Sequence, residues 1–230
     1  MRDGVELKVV DDPAQAGAEL LARHAAAGGH IALSGGSTPK DAYERAAALG
    51  TDWAAAVLWF GDDRCVAPDD EYSNYRMVRE ALLDRVDPAP TTHRIKGELG
   101  PQQAADDYEL ALRDAFRGAP PVLDLALMGL GPDVHTASLF PGKPALQERD
   151  RLAVGVEDAG MEPYVARVTL TLPVFNAARE VVFLVTGESK AEAVERAFAQ
   201  EPSADAPASL VQPSAGTLTL LCNQGAASRL

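Results

Sequence analysis

Leu123-Asp124-Leu125-Ala126-Leu127-Met128-Gly129-Leu130-Gly131-Pro132-Asp133-Val134-His135-Thr136-Ala137-Ser138-Leu139-Phe140-Pro141-Gly142 is the stretch on which the fold turns. Residues 122–128 form an almost unbroken apolar run of strand length, the pattern of a central parallel strand covered on both faces. Gly129 and Gly131 break the run. Glycines just past a buried strand permit positive φ or close backbone approach to a ligand, and open α/β sheets bind ligands at the carboxyl ends of their strands. Asp133 and His135 sit at that position. Imidazole is the side chain best matched to proton transfer near neutral pH, and a carboxylate two residues away can orient it if the turn folds back. On spacing alone an Asp-x-His pair is more often a cap or a solvated pair than a catalytic one.

Outward from this stretch the same grammar repeats. Residues 5–10 read as a first strand, and Pro13 opens a helix that Gly28-Gly29 ends. Ile31-Ala32-Leu33 runs into Ser34-Gly35-Gly36-Ser37-Thr38-Pro39 and then a helix, giving strand, glycine loop, helix. Such a loop offers backbone N–H groups and hydroxyls to a phosphate or sugar oxygen, although a capped tight turn has the same composition. Val57 to Phe60 is the next buried strand, ending in Gly61-Asp62-Asp63-Arg64, and Ser73 caps a helix carrying Val78, Ala81 and Leu82 on one face. Residues 101–117 form an amphipathic helix with Tyr108, Ala111, Leu112, Ala115 and Phe116 as its stripe. A short strand at 152–156 lies between polar connections, 141–150 and 157–163, suited to a lid.

Arg167-Val168-Thr169-Leu170-Thr171-Leu172-Pro173 alternates with period two and reads as a half-buried strand. Val181 to Val185 is a further buried strand, and Lys190 falls in the first turn of the helix after it. A lysine there is unfavourable to the helix dipole, which a bound anion nearby would explain. Leu218 to Leu221 is the last strand. Repeated alternation of buried strand and amphipathic helix predicts a doubly wound, mostly parallel α/β sheet with helices on both faces, built as one domain over residues 1–230.

Composition narrows the function classes. The chain is 47% hydrophobic and 24% charged with a net charge of −13, which argues against nucleic acid and anionic membrane surfaces as partners. An acidic protein that binds a small anion must gather a few cations locally. No apolar run approaches a bilayer span and the N-terminus lacks a signal-peptide pattern, so a cytoplasmic location is expected. Cys65 and Cys222 supply neither a disulfide framework nor metal spacing, and the four histidines form no ligand cluster, so no metal and no cofactor are expected. No obligate protein partner is evident. Gly-x-Ser-x-Gly is absent, which disfavours a serine esterase, and Gly129-Leu130-Gly131 lacks the third glycine of a dinucleotide fingerprint.

The motifs as an ordered set resemble the 6-phosphogluconolactonases. Gly129 to Phe140 resembles that family's G-x-G-x-D-G-H-T-A-S-L-F-P, with Val134 where the family has glycine. Leu33 to Pro39 resembles L-S-G-G-S-T-P, an element shared with sugar-phosphate isomerases and deaminases. Gly61 to Val66 with Ser73-Asn74-Tyr75-Arg76 resembles G-D-E-R-x-V…S-N-y-r, with Asp63 in place of glutamate; Arg167 to Pro173 resembles R-x-T-L-T-L-P, and Gly187 to Lys190 resembles G-x-x-K. The family's C-terminal acidic residue is missing, Cys222-Asn223 standing there instead. The resemblance implies hydrolysis of 6-phospho-D-glucono-1,5-lactone to 6-phospho-D-gluconate in the oxidative pentose phosphate pathway, on a Rossmann-like scaffold of the sugar-phosphate isomerase type. It implies His135 as general base and Asp133 as its orienting partner. Ser34, Gly35, Gly36, Ser37, Thr38, Arg64, Gly131, Arg167 and Lys190 are then the substrate and phosphate ligands. Two rivals remain: a hexosamine-6-phosphate deaminase or isomerase on the same scaffold, and a sugar-phosphate sensor that turns nothing over.

Overall fold

A computed structural model describes residues 1–230. Its strands are β1 (Val5–Val9), β2 (His30–Leu33), β3 (Val57–Phe60), β4 (Asp62–Arg64), β5 (Thr91–Thr92), β6 (Leu125–Met128), β7 (Ala153–Val156), β8 (Arg167–Leu170), β9 (Glu180–Val185) and β10 (Thr217–Cys222). Its helices are α1 (Pro13–Ala26), α2 (Ser37–Ala48), α3 (Asn74–Ala81), α4 (Pro101–Ala115), α5 (Leu172–Asn176) and α6 (Ala191–Phe198).

Local chemistry sets the boundaries. Asp12 accepts the Gln15 N–H at 3.1 Å and Pro13 supplies the first turn of α1, while Gly28 at φ 72° stops it. Ser73 caps α3 by accepting the Arg76 N–H at 3.1 Å. Gly100, at φ 81°, turns the chain into Pro101 and α4.

Seven strands form one parallel sheet in the order β1-β10-β9-β6-β2-β3-β5. From β2 the chain winds through β3 to β5, and from β6 it winds the opposite way through β9 to β10. The reversal lies between β2 and β6, where pairing is limited to Ile31↔Leu125 and Ala32↔Ala126. Beyond those residues the two chains part, and a crevice opens at the carboxyl ends of the strands, where such sheets bind ligands. The central strand is shorter than the apolar run that announces it: residues 122–124 lead in, and only Leu125–Met128 pair.

A second, three-stranded antiparallel sheet, β4-β8-β7, was not evident from the periodicity. It corrects two expectations. All four residues of β8 are buried, because one side of this sheet meets α4 and the other closes over the core, so the alternation of Arg167 to Leu170 does not mark a half-buried strand. Leu172 and Pro173 leave the strand altogether and begin α5. On α4 the buried residues are Ala104, Ala105, Tyr108, Glu109 and Leu112, with Ala115 exposed at the frayed end. His24 Nε2 lies 2.9 Å from Glu180 Oε2, tying α1 to β9. No helix is long and apolar enough to cross a membrane.

Candidate active site

The β2 and β6 loops meet across the crevice, and three more segments close it. The cleft, of about 220 Å³, is lined by Ser34, Gly35 and Gly36 from β2, Asp62 and Arg64 from β4, and Gly131 and His135 from the β6 loop. Arg167 from β8, Lys190 and Asn74 complete its polar wall. Five segments far apart in sequence therefore converge as the motifs suggested. Ser37 and Thr38 differ. They lie in the first turn of α2 and line an adjoining hollow with Gly35, Gly36 and Lys190. Lys190 also departs from expectation, standing in a 3-10 turn, Glu188–Lys190, at the N-cap of α6 and not in its first turn.

His135 Nδ1 contacts Asp133 Oδ1, the same oxygen that accepts the His135 backbone N–H at 3.2 Å. A carboxylate only accepts, so Nδ1 carries the ring proton and Nε2 is left as the free basic nitrogen. Burial works to raise the Asp133 carboxyl, but the hydrogen bonds and charge of His135 outweigh it and hold the group below the usual carboxylate range. The pair depends on two further residues. Gly131 must be glycine, because a Cβ there would lie 2.0 Å from His135 Nδ1. Phe140 packs on the imidazole with ring centroids 4.6 Å apart, and its other neighbour is the Arg167 guanidinium, 5.2 Å from the ring centre.

Val134, in the family's glycine position, has φ 68° and is fully buried. The left-handed turn that glycine adopts freely is thus kept by a β-branched residue, at roughly 1–2 kcal/mol of strain. Burial of the isopropyl group offsets it. Asp133 and His135 accordingly keep their places.

Three cationic groups face the cleft in different ways. Arg167 is only 2% exposed; its Nη2 donates to the carbonyls of Met161, at 3.1 Å, and Pro163, at 3.2 Å, while its Nε has no partner. Arg64 Nη1 donates to Asn74 Oδ1 and Tyr72 O, both at 2.9 Å, and its Nε is likewise unpartnered. Lys190 Nζ donates to Leu130 O at 2.7 Å. Burial pulls both Arg167 and Lys190 below their usual values, Asp62 and Asp133 opposing it for Arg167 and Asp133 for Lys190. The Ser34 hydroxyl is also buried without a partner. Buried donors lacking acceptors are uncommon, and three such side chains around one crevice, Ser34, Arg64 and Arg167, suit an incoming anion or polyol.

Sequence reasoning passed over Asp62, Asn74, Ser138 and Phe140 as site residues. Asp62 is held by Ser138 Oγ at 2.7 Å, and its backbone carbonyl accepts from Asn74 Nδ2 at 2.9 Å. The available signal was the doubled aspartate before Arg64 at the carboxyl end of a buried strand.

Asp63 organises this corner. It accepts the backbone N–H groups of Arg64 at 2.8 Å, Asn74 at 2.6 Å and Tyr75 at 3.0 Å, tying β4 to the start of α3. Burial pushes its carboxyl up to about 6 against the pull of those donors. An unfolded aspartate titrates near 4, so between those values the folded state binds the proton more tightly and stability falls as pH rises through the window. Over that interval the group's contribution changes by about 3 kcal/mol. Asp63→Asn is neutral at every pH and removes this slope. Urea unfolding of both proteins at about pH 4.5 and about pH 7 should show the wild type losing roughly 2 kcal/mol relative to the variant. Parallel pH profiles would show that Asp63 is ionised throughout.

Comparison with known proteins gives the following. The family model for glucosamine-6-phosphate isomerases/6-phosphogluconolactonase matches residues 3–220. A 6-phosphogluconolactonase of Nostoc sp. is 46% identical over 200 residues, covering 83% of this chain and 80% of its own. The Homo sapiens 6-phosphogluconolactonase is 42% identical over 208 residues, covering 87% and 80%. Among solved structures, the 6-phosphogluconolactonase from Trypanosoma cruzi superposes with a TM-score of 0.84 at 28% identity, covering 100% of this chain and 98% of its own.

Proposed function

The chain belongs to the glucosamine-6-phosphate isomerase/6-phosphogluconolactonase family, and from that premise we infer that it hydrolyses 6-phospho-D-glucono-1,5-lactone, the lactone step of the pentose phosphate pathway. The observation that carries the reading is one cleft in which the Asp133–His135 pair faces Arg64, Arg167 and Lys190.

The chemistry follows from what each group can do. His135 Nε2 removes a proton from water as the water oxygen bonds to the lactone carbonyl carbon. Negative charge then develops on the carbonyl oxygen, and preorganised donors in the crevice stabilise it. The imidazolium returns its proton to the ring oxygen as the carbon–oxygen bond breaks, leaving a hydroxyl and a carboxylic acid, which ionises to the carboxylate by releasing its remaining proton to solvent. Asp133 holds the ring in the required tautomer throughout and stabilises the cation that forms.

Ser34, Gly35, Gly36, Arg64, Gly131, Arg167 and Lys190 bind the substrate in this reading, with Ser37 and Thr38 contributing from the adjoining hollow. Residues 1–230 act as one domain, supported by a single core cluster of 61 buried residues. The net charge of −13 supports a small-molecule partner and neither nucleic acid nor membrane surface, and unpaired Cys65 and Cys222 support a cytoplasmic setting.

Two measurements test the reading. Purified protein given the lactone, and separately an aminosugar phosphate, should produce acid from the first and no ammonia from the second. Ammonia release would select the deaminase instead, and turnover of neither would select the sensor. The phosphate site is tested with Lys190→Ala, which leaves the Arg167 anchoring bonds intact. Loss of one charged hydrogen bond, about 1.5–3 kcal/mol, should lower kcat/KM for the phosphorylated lactone roughly 10–150-fold. Unphosphorylated gluconolactone should be spared. An equal proportional loss on both would remove Lys190 from the phosphate site.

A further inference from the structure

The long edge of the parallel sheet is β1, Val5-Glu6-Leu7-Lys8-Val9. Only one side of it is paired: it runs parallel to β10 in the register Val5↔Leu218 to Val9↔Cys222. The Val10 N–H donates to Cys222 O at 2.9 Å, so by the alternation of a parallel ladder residues 6, 8 and 10 turn their backbone groups to β10. The N–H and C=O groups of Leu7 and Val9 therefore point away from the sheet. The side chains are open as well: Leu7 is 37% and Val9 42% exposed, and Glu6 and Lys8 are half-exposed, with Lys8 Nζ 3.4 Å from Glu6 Oε1 in the same strand and Glu6 Oε2 accepting from Thr219 Oγ1 at 3.3 Å.

An edge of this kind is a template for another strand, and a lysine on it ordinarily repels a second copy. Here the lysine is matched. If a second copy of β1 is laid antiparallel about a twofold axis through Leu7, each residue meets the one whose number makes the sum fourteen. Glu6 then faces Lys8 of the other copy, twice; Val5 faces Val9, twice; Leu7 faces itself. Leu7 is an outward-pointing residue, so it forms the hydrogen-bonded pair on the axis; on either side of it the Val9 N–H of one copy donates to the Val5 carbonyl of the other, the Val5 N–H being held by Arg2 O within its own chain. Glu6 and Lys8 then fall at the non-hydrogen-bonded positions, where Cβ atoms approach most closely and charge pairs interact best. The strand is self-complementary in polarity, in apolar contact and in charge, the three requirements of an isologous interface.

We propose that β1 is a homodimerisation edge, joining two copies antiparallel through Leu7 into one continuous fourteen-stranded sheet. The carboxyl ends of the strands that build the cleft are not part of this edge, so association leaves both sites open. The interface is a short one, and a reversible dimer is expected.

Sedimentation velocity across micromolar to millimolar protein tests the proposal with a charge-swap series. Glu6→Lys sets lysine against lysine at both positions, and Lys8→Glu sets glutamate against glutamate; each should weaken dimerisation at least about tenfold. The double variant Glu6→Lys/Lys8→Glu exchanges the signs and should restore the wild-type dimer, while all three keep lactone turnover and the wild-type thermal midpoint. A wild-type monomer throughout the range overturns the proposal. So does a dimer indifferent to both single reversals, which would use another face, and so does a double variant as weak as the singles.

Discussion

His135→Ala is expected to lower kcat/KM on the phosphorylated lactone by about 10²–10⁴-fold, the usual contribution of a positioned base. Nothing else in the cleft can take its place. Arg64, Arg167 and Lys190 are cationic, the Asp62 carboxylate is engaged by Ser138 Oγ at 2.7 Å, and Asp133 reaches the substrate only through the imidazole that it holds. The fold should survive the change. The ring touches Phe140 and Asp133, and the Asp133 carboxylate is open enough to water to be solvated once its partner is gone. Both lactones should lose activity together, since the base acts on water and the carbonyl and not on the phosphate. A folded His135→Ala protein with near-wild-type turnover would remove His135 from the chemistry. Asp133→Asn supplies a companion result: the amide can turn its NH₂ toward Nδ1, favouring the tautomer with its proton on Nε2, and kcat should fall with KM little changed.

Gly131→Ala is expected to be nearly as damaging although it adds one methyl group. The new Cβ would lie 2.0 Å from Nδ1 and 2.1 Å from Cε1 of His135, and 2.8 Å from Asp133 Oδ1. Those separations are impossible, and Phe140 already restricts the ring's retreat. The imidazole must therefore turn out of register with Asp133, and misplacement of a catalytic group by about 1 Å can cost 10²-fold. Loss of at least about 100-fold in kcat is the expected reading, with a near-native thermal midpoint. Wild-type kcat in Gly131→Ala would mean that the ring does not occupy this position during turnover. Phe140→Leu should show a milder version of the same defect.

The parallel sheet and its crevice, apart from the two-residue β5, were legible because buried strands, glycine turns and amphipathic helices alternate over most of the chain from Val5 to Cys222. Asp133 and His135 were legible because a carboxylate and an imidazole follow paired glycines at a strand end. What periodicity missed depends on partners distant in sequence. Arg167 to Leu170 shows the alternation of a half-exposed strand, yet β4, β7 and α4 bury it, and none of those neighbours is encoded locally. Asp62 could not be read as a site residue from the sequence, because Ser138, which holds it, lies 76 residues away. Val134 tells the complementary lesson. Its side chain argues against a left-handed turn, but the surrounding core determines the backbone and the valine conforms.

Two tyrosines supply a last consequence. Tyr43, on α2, donates its hydroxyl proton to Ser34 O at 2.8 Å and accepts the Ser34 N–H at 3.0 Å; Tyr108, on α4, does the same for Phe60, with bonds of 3.0 and 2.7 Å. Ser34 lies where β6 has stopped pairing with β2, and Phe60 lies past the end of the two-residue β5. Each phenol therefore occupies the position of a missing strand, and the crevice opens without stranding backbone groups. Because the substitutes are carried by helices, neither strand end can let go unless α2 or α4 lifts from the sheet. In hydrogen exchange, the Ser34 and Phe60 amides should accordingly behave as core amides despite bordering a cleft, exchanging only through global opening. The catalytic floor and the helical layer would then melt as one cooperative unit, leaving any local breathing to the loop that carries Met161 and Pro163.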